Sequence, residues 1–261
     1  MGDNNSSGPD GGQYSAESLR RYEWIFGKNY LSSGALEVAE KAAKWFELQT
    51  NSRVLDVGSG LGGTAIHFAQ VHGATVTGLD VLAQMKDEAS KRAEACGLSG
   101  IDFLTGDIVN APLPRESFNA VYSKDSFLHV HDKRALAKAL YRVLVPGGRL
   151  FFADYLRGVD RGGVEFEAYA SASHYALATA HQYTDLLQDA GFADVKYEDA
   201  TPRLIQILRA DIKFMTSRQS DPHAPGNADI EYLADRWELK IRCLRSGEMK
   251  WGIFKARRNE A

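Results

Sequence analysis

The sequence predicts an α/β protein built on a mostly parallel, seven-stranded sheet with helices on both faces. Three observations carry this. Short apolar runs alternate with helix-like stretches from residue 53 onward, and that alternation demands a parallel sheet covered on both sides. A glycine-rich turn, with Gly58, Gly60 and Gly63, joins the first run to a helix. The first three runs end in Asp56, Asp80 and Asp107, which places three acids around one crevice.

Taken in order, residues 1–13 are too polar and glycine-rich to fold alone and read as a flexible tail. A single domain is expected over 14–257. Helices are predicted over 15–26, closed by Gly27, and over 35–48. The first four strands fall at 53–57, 75–80, 101–108 and 118–125, with a helix over 63–70. From Ser126 the chain turns into helix, so that Asp125 and His129, four apart, share one helical face. An amphipathic helix over 134–144 leads through Pro146-Gly-Gly to a fifth strand at 148–155, with Tyr155 at its active end. Strands follow at 195–200 and 249–256 and helices at 203–214 and 230–244. The stretches 156–182 and 219–246 read as lid segments over the substrate.

Composition narrows the function. A hydrophobic content of 44% and a charged content of 25% describe ordinary globular material. The net charge of -3 argues against a nucleic-acid partner. No apolar run approaches the ~20 residues of a membrane span. The start is polar and unlike a secretory signal. Cys96 and Cys243 form no metal or redox motif and fit a reducing compartment, so a cytoplasmic monomer is expected, with no metal and no ligand cluster for one.

The spacing of Gly58, Gly60 and Gly63 satisfies the dinucleotide-type pattern, but Asp56 beside the loop would repel a pyrophosphate and suits a cationic ligand such as the amino group of a methionine moiety. Asp80 stands where a ribose hydroxyl partner belongs. Asp107 can accept from an adenine amino group while Ile108 packs on the ring. Three acid-ended strands in this order resemble the class I S-adenosylmethionine-dependent methyltransferases, whose Rossmann-like fold carries a last strand antiparallel at the sheet edge.

At the fourth strand, an acid that orients an imidazole is a general-base arrangement, here Asp125 with His129. His131 reads as surface. Tyr14, Tyr22 and Tyr30 recur at intervals of eight and suit an aromatic wall around a cationic head group. Arg203 is a candidate anion contact.

Beyond the glycine turn, Tyr22-Glu-Trp-Ile-Phe-Gly-Lys-Asn-Tyr-Leu-Ser-Ser-Gly34, Tyr122-Ser-Lys-Asp-Ser-Phe-Leu-His129, Asp154-Tyr155 and Lys250-Trp-Gly-Ile-Phe254 resemble the phosphoethanolamine N-methyltransferases over about residues 14–257. The resemblance implies methyl transfer from S-adenosylmethionine to the nitrogen of phosphoethanolamine and its partly methylated forms, leading to phosphocholine. It implies a catalytic Asp125, His129 and Tyr22. Leu31, Ser32, Asp56, Gly58, Ser59, Gly60, Asp80, Val81, Asp107, Ile108 and Ser123 would hold the cofactor. Tyr14, Tyr22, Tyr155, Tyr169, Tyr175 and Lys240 would meet the substrate. One departure stands out: the family's phosphate-binding arginine is replaced by Ser173. A guanidinium grips phosphate with two parallel hydrogen bonds, whereas serine offers one neutral donor. That keeps open an unphosphorylated acceptor, such as a sarcosine- or dimethylglycine-like amine or a thioether acid. A nicotinamide oxidoreductase is disfavoured by Asp56 and Asp107, and a catalytically silent cofactor-binding module by the presence of Asp125 and His129.

Overall fold

In the computed structural model the chain is described over residues 15–260; the tail expected over 1–13 and Tyr14 lie outside the described residues. In chain order the elements are α1 (Ala16–Phe26), α2 (Ala35–Phe46), β1 (Arg53–Val57), α3 (Gly63–His72), β2 (Thr75–Asp80), α4 (Ala83–Ala95), β3 (Ile101–Thr105) and β4 (Phe118–Lys124). A short 3-10 turn (Phe127–His129) follows. Then come α5 (Lys133–Val143), β5 (Leu144–Arg157), α6 (Val164–Ala172), α7 (Ala180–Asp189), β6 (Phe192–Asp199), α8 (Thr201–Ser217), α9 (Asn227–Arg245) and β7 (Met249–Arg258).

The seven strands form one sheet in the order β3-β2-β1-β4-β5-β7-β6. The first five run parallel, and β7 runs antiparallel to both β5 and β6. This corrects the expectation of an edge position for the last strand. Its run Trp251–Phe254 is buried without alternation, so it needs cover on both faces and both edges. β6 takes the edge instead, and its alternating burial fits a half-exposed strand.

The sheet divides the core in two. Val54, Tyr122, Phe151 and Trp251 pack on one face; Leu55, Val121, Phe152 and Phe254 pack on the other. Neighbours along β5 thus serve opposite cores, as the period of two requires. Phe152 is fully buried and stacks on Phe254 at 4.6 Å; truncation to alanine would cost about 3–5 kcal/mol. α2 buries Ala35, Val38, Ala39, Ala42, Ala43 and Phe46, a stripe of helical period. Its small residues let the helix lie close to the sheet, where the Trp45 indole donates to the Leu150 carbonyl at 3.2 Å.

Two local differences from the sequence reading matter for the site. Pro146-Gly-Gly lies inside β5, where the register against β4 shifts between the Phe118 and Ala120 pairings. The chain after β4 makes only the short 3-10 turn, so Asp125 and His129 do not share an α-helical face. Among the described residues no helix is long and apolar enough to cross a membrane.

Candidate active site

The first half of the site is made from backbone. β1 ends at Val57, and Gly58 adopts φ +77°, a left-handed conformation that side chains rarely tolerate. A Cβ on Gly58 would lie 2.2 Å from Ser126 Oγ, so the loop passes the end of β4 with no room for a side chain. The Gly58 and Ser59 amides donate to the Leu79 carbonyl at 2.7 and 3.2 Å, tying the loop to β2. The Gly60 amide donates to Asp80 Oδ2 at 2.9 Å, and the Leu82 amide to Oδ1 at 3.0 Å. Leu31 packs with Leu19, Leu61 and Met85 against this loop, where its Cδ1 would meet a Cβ on Gly60 at 3.1 Å.

Asp56 is 2% exposed, and its Oδ2 is buried without a hydrogen-bond partner among the described residues. Burial first, and then the Asp80 charge, push its pKa up to about 7. Ser59 Oγ is also buried and has no hydrogen-bond partner among the described residues. Buried polar atoms are rarely left so, and an acid with a hydroxyl at the mouth of a glycine cradle fits the polar amino-acid end of a ligand. The Tyr30 hydroxyl reaches the Gly63 carbonyl at 3.5 Å. Burial and the charges of Asp56 and Glu40 push that phenol up to about 12, which keeps it a neutral donor.

Further out, Val81 is 66% exposed beside Asp80, an unpartnered apolar face suited to a flat ring. Asp107 stands two residues beyond β3, exposed, and accepts from the Val109 amide at 2.9 Å. Ile108, in contrast, is packed into the core with Leu79 and Leu113 and presents no open face. Ser123 is likewise spent on structure: its hydroxyl donates to the Val57 carbonyl at 2.8 Å inside the sheet.

The second half is made from side chains. Asp125 follows β4 at φ +50°, a backbone that Asp tolerates better than most residues. Its Oδ1 accepts from the Trp251 indole at 2.9 Å, and Oδ2 meets the Lys124 ammonium. Lys124 also donates to Ser32 Oγ at 3.0 Å, joining the segment before α2 to the end of β4. Beside this cluster Tyr155 stacks parallel to Tyr175 at 6.3 Å, and Tyr169 meets Tyr175 edge-on at 5.8 Å. Lys240 donates to the Tyr155 hydroxyl at 3.2 Å and lies 4.7 Å from its ring centre. Tyr22 stacks on Phe26, which meets Trp237 edge-on, so α1 is joined to the α9 face that carries Lys240. Arg92 of α4 grips the Glu23 carboxylate and anchors α1 in that position.

His129 packs edge-on against Tyr175 at 5.6 Å and hydrogen-bonds the His174 backbone. Partial enclosure lowers its pKa from the ordinary imidazole value; the His174 bond and the more distant Asp125 charge oppose this. The imidazole is therefore neutral at physiological pH and able to take a proton. Asp125 acts on it through space, since both oxygens of Asp125 are engaged elsewhere. Burial pushes the Tyr155 and Tyr175 phenols well above their ordinary value, so both are neutral hydrogen-bond donors.

Arg203 does not join this group. It forms a two-pronged ion pair with Glu37 at 3.0 and 2.7 Å on the exposed side of α8. Ser173 closes α6, and its amide donates to the Tyr169 carbonyl at 3.0 Å. His131 is exposed and lines a separate groove of about 550 Å³ between α5 and α7. The sequence reading missed Lys124, Trp251 and Asp211. Asp211 hydrogen-bonds Ser33 and feels the charges of Lys124 and Lys240, while its Oδ2 is buried without a partner among the described residues. Apart from these, Glu40, His67 and His72 gather between α2 and α3 with ligand atoms within 4.8 Å of one another, a grouping that spacing did not suggest.

The strand order and the acids at the ends of β1 and β2 define a methyltransferase of Rossmann-like fold, and residues 55–152 match a family described as a methyltransferase domain. A phosphoethanolamine N-methyltransferase of Plasmodium falciparum is 33% identical over 251 residues, covering 95% of this chain and 94% of that one. The chain belongs to the phosphoethanolamine N-methyltransferase family. Phosphoethanolamine N-methyltransferase 1 of Arabidopsis thaliana is 32% identical over 96% of this chain, which spans about half (51%) of that relative's length. The structure of Haemonchus contortus phosphoethanolamine N-methyltransferase 2 with phosphomonomethylethanolamine and S-adenosylhomocysteine superposes with a TM-score of 0.91. It is 27% identical, covering 96% of this chain and 60% of that one.

Proposed function

We propose that this chain transfers methyl groups from S-adenosylmethionine to the amine nitrogen of phosphoethanolamine and its partly methylated forms, leading to phosphocholine. The observation that carries the reading is the match along 94% of the Plasmodium falciparum relative. When bound, S-adenosylmethionine supplies an electrophilic methyl group. The unpaired Asp56 and Ser59 atoms and the glycine loop suit its amino-acid end. Asp80, already ordered by two amides, suits the ribose, and Val81 with Asp107 the adenine.

On the acceptor side, the amine is protonated at neutral pH, with a pKa near ~10 by analogy with lysine, and must lose that proton to expose its lone pair. His129 takes it on the ring nitrogen not engaged with the His174 carbonyl. Asp125, held by Trp251 and Lys124, accepts from the amine and steadies the imidazolium that forms. Tyr22, Tyr155, Tyr169 and Tyr175 present ring faces to a cation that becomes permanent as methyls accumulate. The segments 156–182 and 219–246 act as lids that exclude water and hold the nitrogen in line. The chain works as a monomeric single domain in the cytoplasm; its net charge favours a small acceptor over nucleic acid, and its two thiols are unpaired.

The test is methyl transfer to phosphoethanolamine, its mono- and dimethyl forms, ethanolamine, sarcosine and dimethylglycine. Turnover of the phosphorylated amines is expected. Ser173 is the one feature that favours an unphosphorylated acceptor, and turnover of that group alone would replace the proposed substrate while keeping the chemistry.

A further inference from the structure

We propose that Glu40, His67 and His72 form a binding site for a divalent first-row metal ion of the zinc class, which clamps α2 to α3. Glu40 lies in the middle of α2, and both histidines lie on α3. None of the three joins the glycine loop or the acceptor cluster. One ligand atom from each residue lies within 4.8 Å of the other two. Two imidazoles and a carboxylate are a donor set that suits zinc and its neighbours, while magnesium and calcium call for oxygen ligands.

Hydrogen bonding does not account for the arrangement. Nε2 of His67 and Nε2 of His72 are both buried with no hydrogen-bond partner among the described residues, a condition rare for buried polar atoms. Glu40 Oε1 stands 2.8 Å from His67 Nε2, but the pair is not aligned as a hydrogen bond. With no proton directed between them, two electron-rich atoms this close favour a shared cation. The two imidazole rings meet edge-on at 6.0 Å, and the fully buried Phe68 meets His72 edge-on at 6.4 Å. That apolar wall limits solvent access behind the ion. Zinc holds nitrogen and oxygen at about 2.0–2.2 Å, which puts neighbouring ligand atoms about 3.3 Å apart in a tetrahedron. Closing to that spacing asks for side-chain shifts of about an ångström. The Glu40 side chain, 44% exposed, has the freedom to make them. The same exposed side admits the ion and leaves its fourth position to water. α3 begins at Gly63, the last glycine of the loop after β1, so the clamp fixes to α2 the helix that follows that loop.

The experiment takes the full chain, treated with chelator, and adds Zn2+, Co2+ or Mg2+ alone. The readouts are calorimetry, thermal unfolding and visible absorption. Wild type is expected to bind one Zn2+ at this site, and its melting temperature to rise by about 5–10 °C when Zn2+ stands about a hundredfold above Kd. Co2+ should develop the visible absorption of a nitrogen- and oxygen-ligated ion without a thiolate band. Mg2+ moves nothing. Glu40→Gln and His72→Ala each weaken Zn2+ binding at least tenfold and remove most of the thermal shift. Cys96→Ser, which deletes the exposed competing thiol, binds as wild type does. Should His72→Ala fail to fold, Glu40→Gln decides, being an isosteric change at a half-exposed side chain. A wild type with no saturable Zn2+ binding overturns the proposal. So does affinity within twofold of wild type in Glu40→Gln, or loss of binding in Cys96→Ser. Binding that leaves the melting temperature unmoved also overturns it, since the ion would then be held equally by the unfolded chain.

Discussion

The two halves of the site are built from different materials. The glycine-loop half comes from one continuous stretch, residues 53–63, and the ends of its neighbouring strands. Its contacts are mostly backbone amides on carbonyls and on Asp80. The acceptor half is assembled from side chains that lie far apart in the chain: Trp251 reaches Asp125 across 126 positions, and Lys240 reaches Tyr155 across 85. The first half is shaped by local turn chemistry and is ready before a ligand arrives. The second exists only as a product of tertiary packing.

Breaking the acceptor half should cost the most rate. Asp125→Asn keeps the left-handed backbone and an acceptor for Trp251 but removes the charge. kcat is expected to fall by about 10²- to 10⁴-fold, the range of general acid–base groups, with cofactor affinity unchanged by calorimetry. Breaking the glycine-loop half should do the reverse. Gly58→Ala forces a methyl to within 2.2 Å of Ser126 Oγ at φ +77°, so cofactor affinity should drop at least tenfold and the melting temperature should fall by several degrees, corresponding to about 1–3 kcal/mol of overpacking. Gly58→Ala, Ser126→Gly, which removes both the Oγ and the Cβ contact at 2.5 Å, should recover part of both.

Asp56 sharpens the comparison through pH. Its folded pKa, about 7, lies above the unfolded value of 3.8. The folded chain therefore binds more protons in that window, and stability without ligand declines as pH rises from about 4 to about 7. Between pH 5 and 7.5 this group should remove about 2–3 kcal/mol, read from urea midpoints, and Asp56→Asn should flatten the slope. The smallest effect is expected outside both halves: Arg203→Ala loses one exposed ion pair, about 1 kcal/mol or less, and should leave the acceptor KM unchanged.

The same division decides what was legible in the sequence. Strand ends and glycines have short-range rules, so β1, the loop and β2 are legible to within a residue, and Asp56 and Asp80 stand at the strand ends beside the glycine loop as expected. Ile108 and Ser123 were drawn into the site by their neighbours, but an isoleucine after a strand and a serine within one have ready uses in the core and the ladder, and the fold takes them. Arg203 sits in the first turn of α8, where nothing in the pattern revealed Glu37 waiting on α2. Lys124, Asp211 and Trp251 depend on contacts between elements far apart in sequence. One signal was available: the unbroken apolar run Trp251–Phe254 is too hydrophobic for an edge, and reading it as an interior strand would have brought Trp251 towards the ends of β4 and β5.

The place of β7 between β5 and β6 also sets a timetable. On the ribosome, β1 to β5 can pair as they emerge, in the parallel order they keep. β6 emerges before its partner exists and has no strand to join until residues 249–258 have cleared the exit tunnel. The same late segment carries the indole that orients Asp125. A nascent chain should therefore acquire the glycine cradle early and the Asp125–Trp251 contact last.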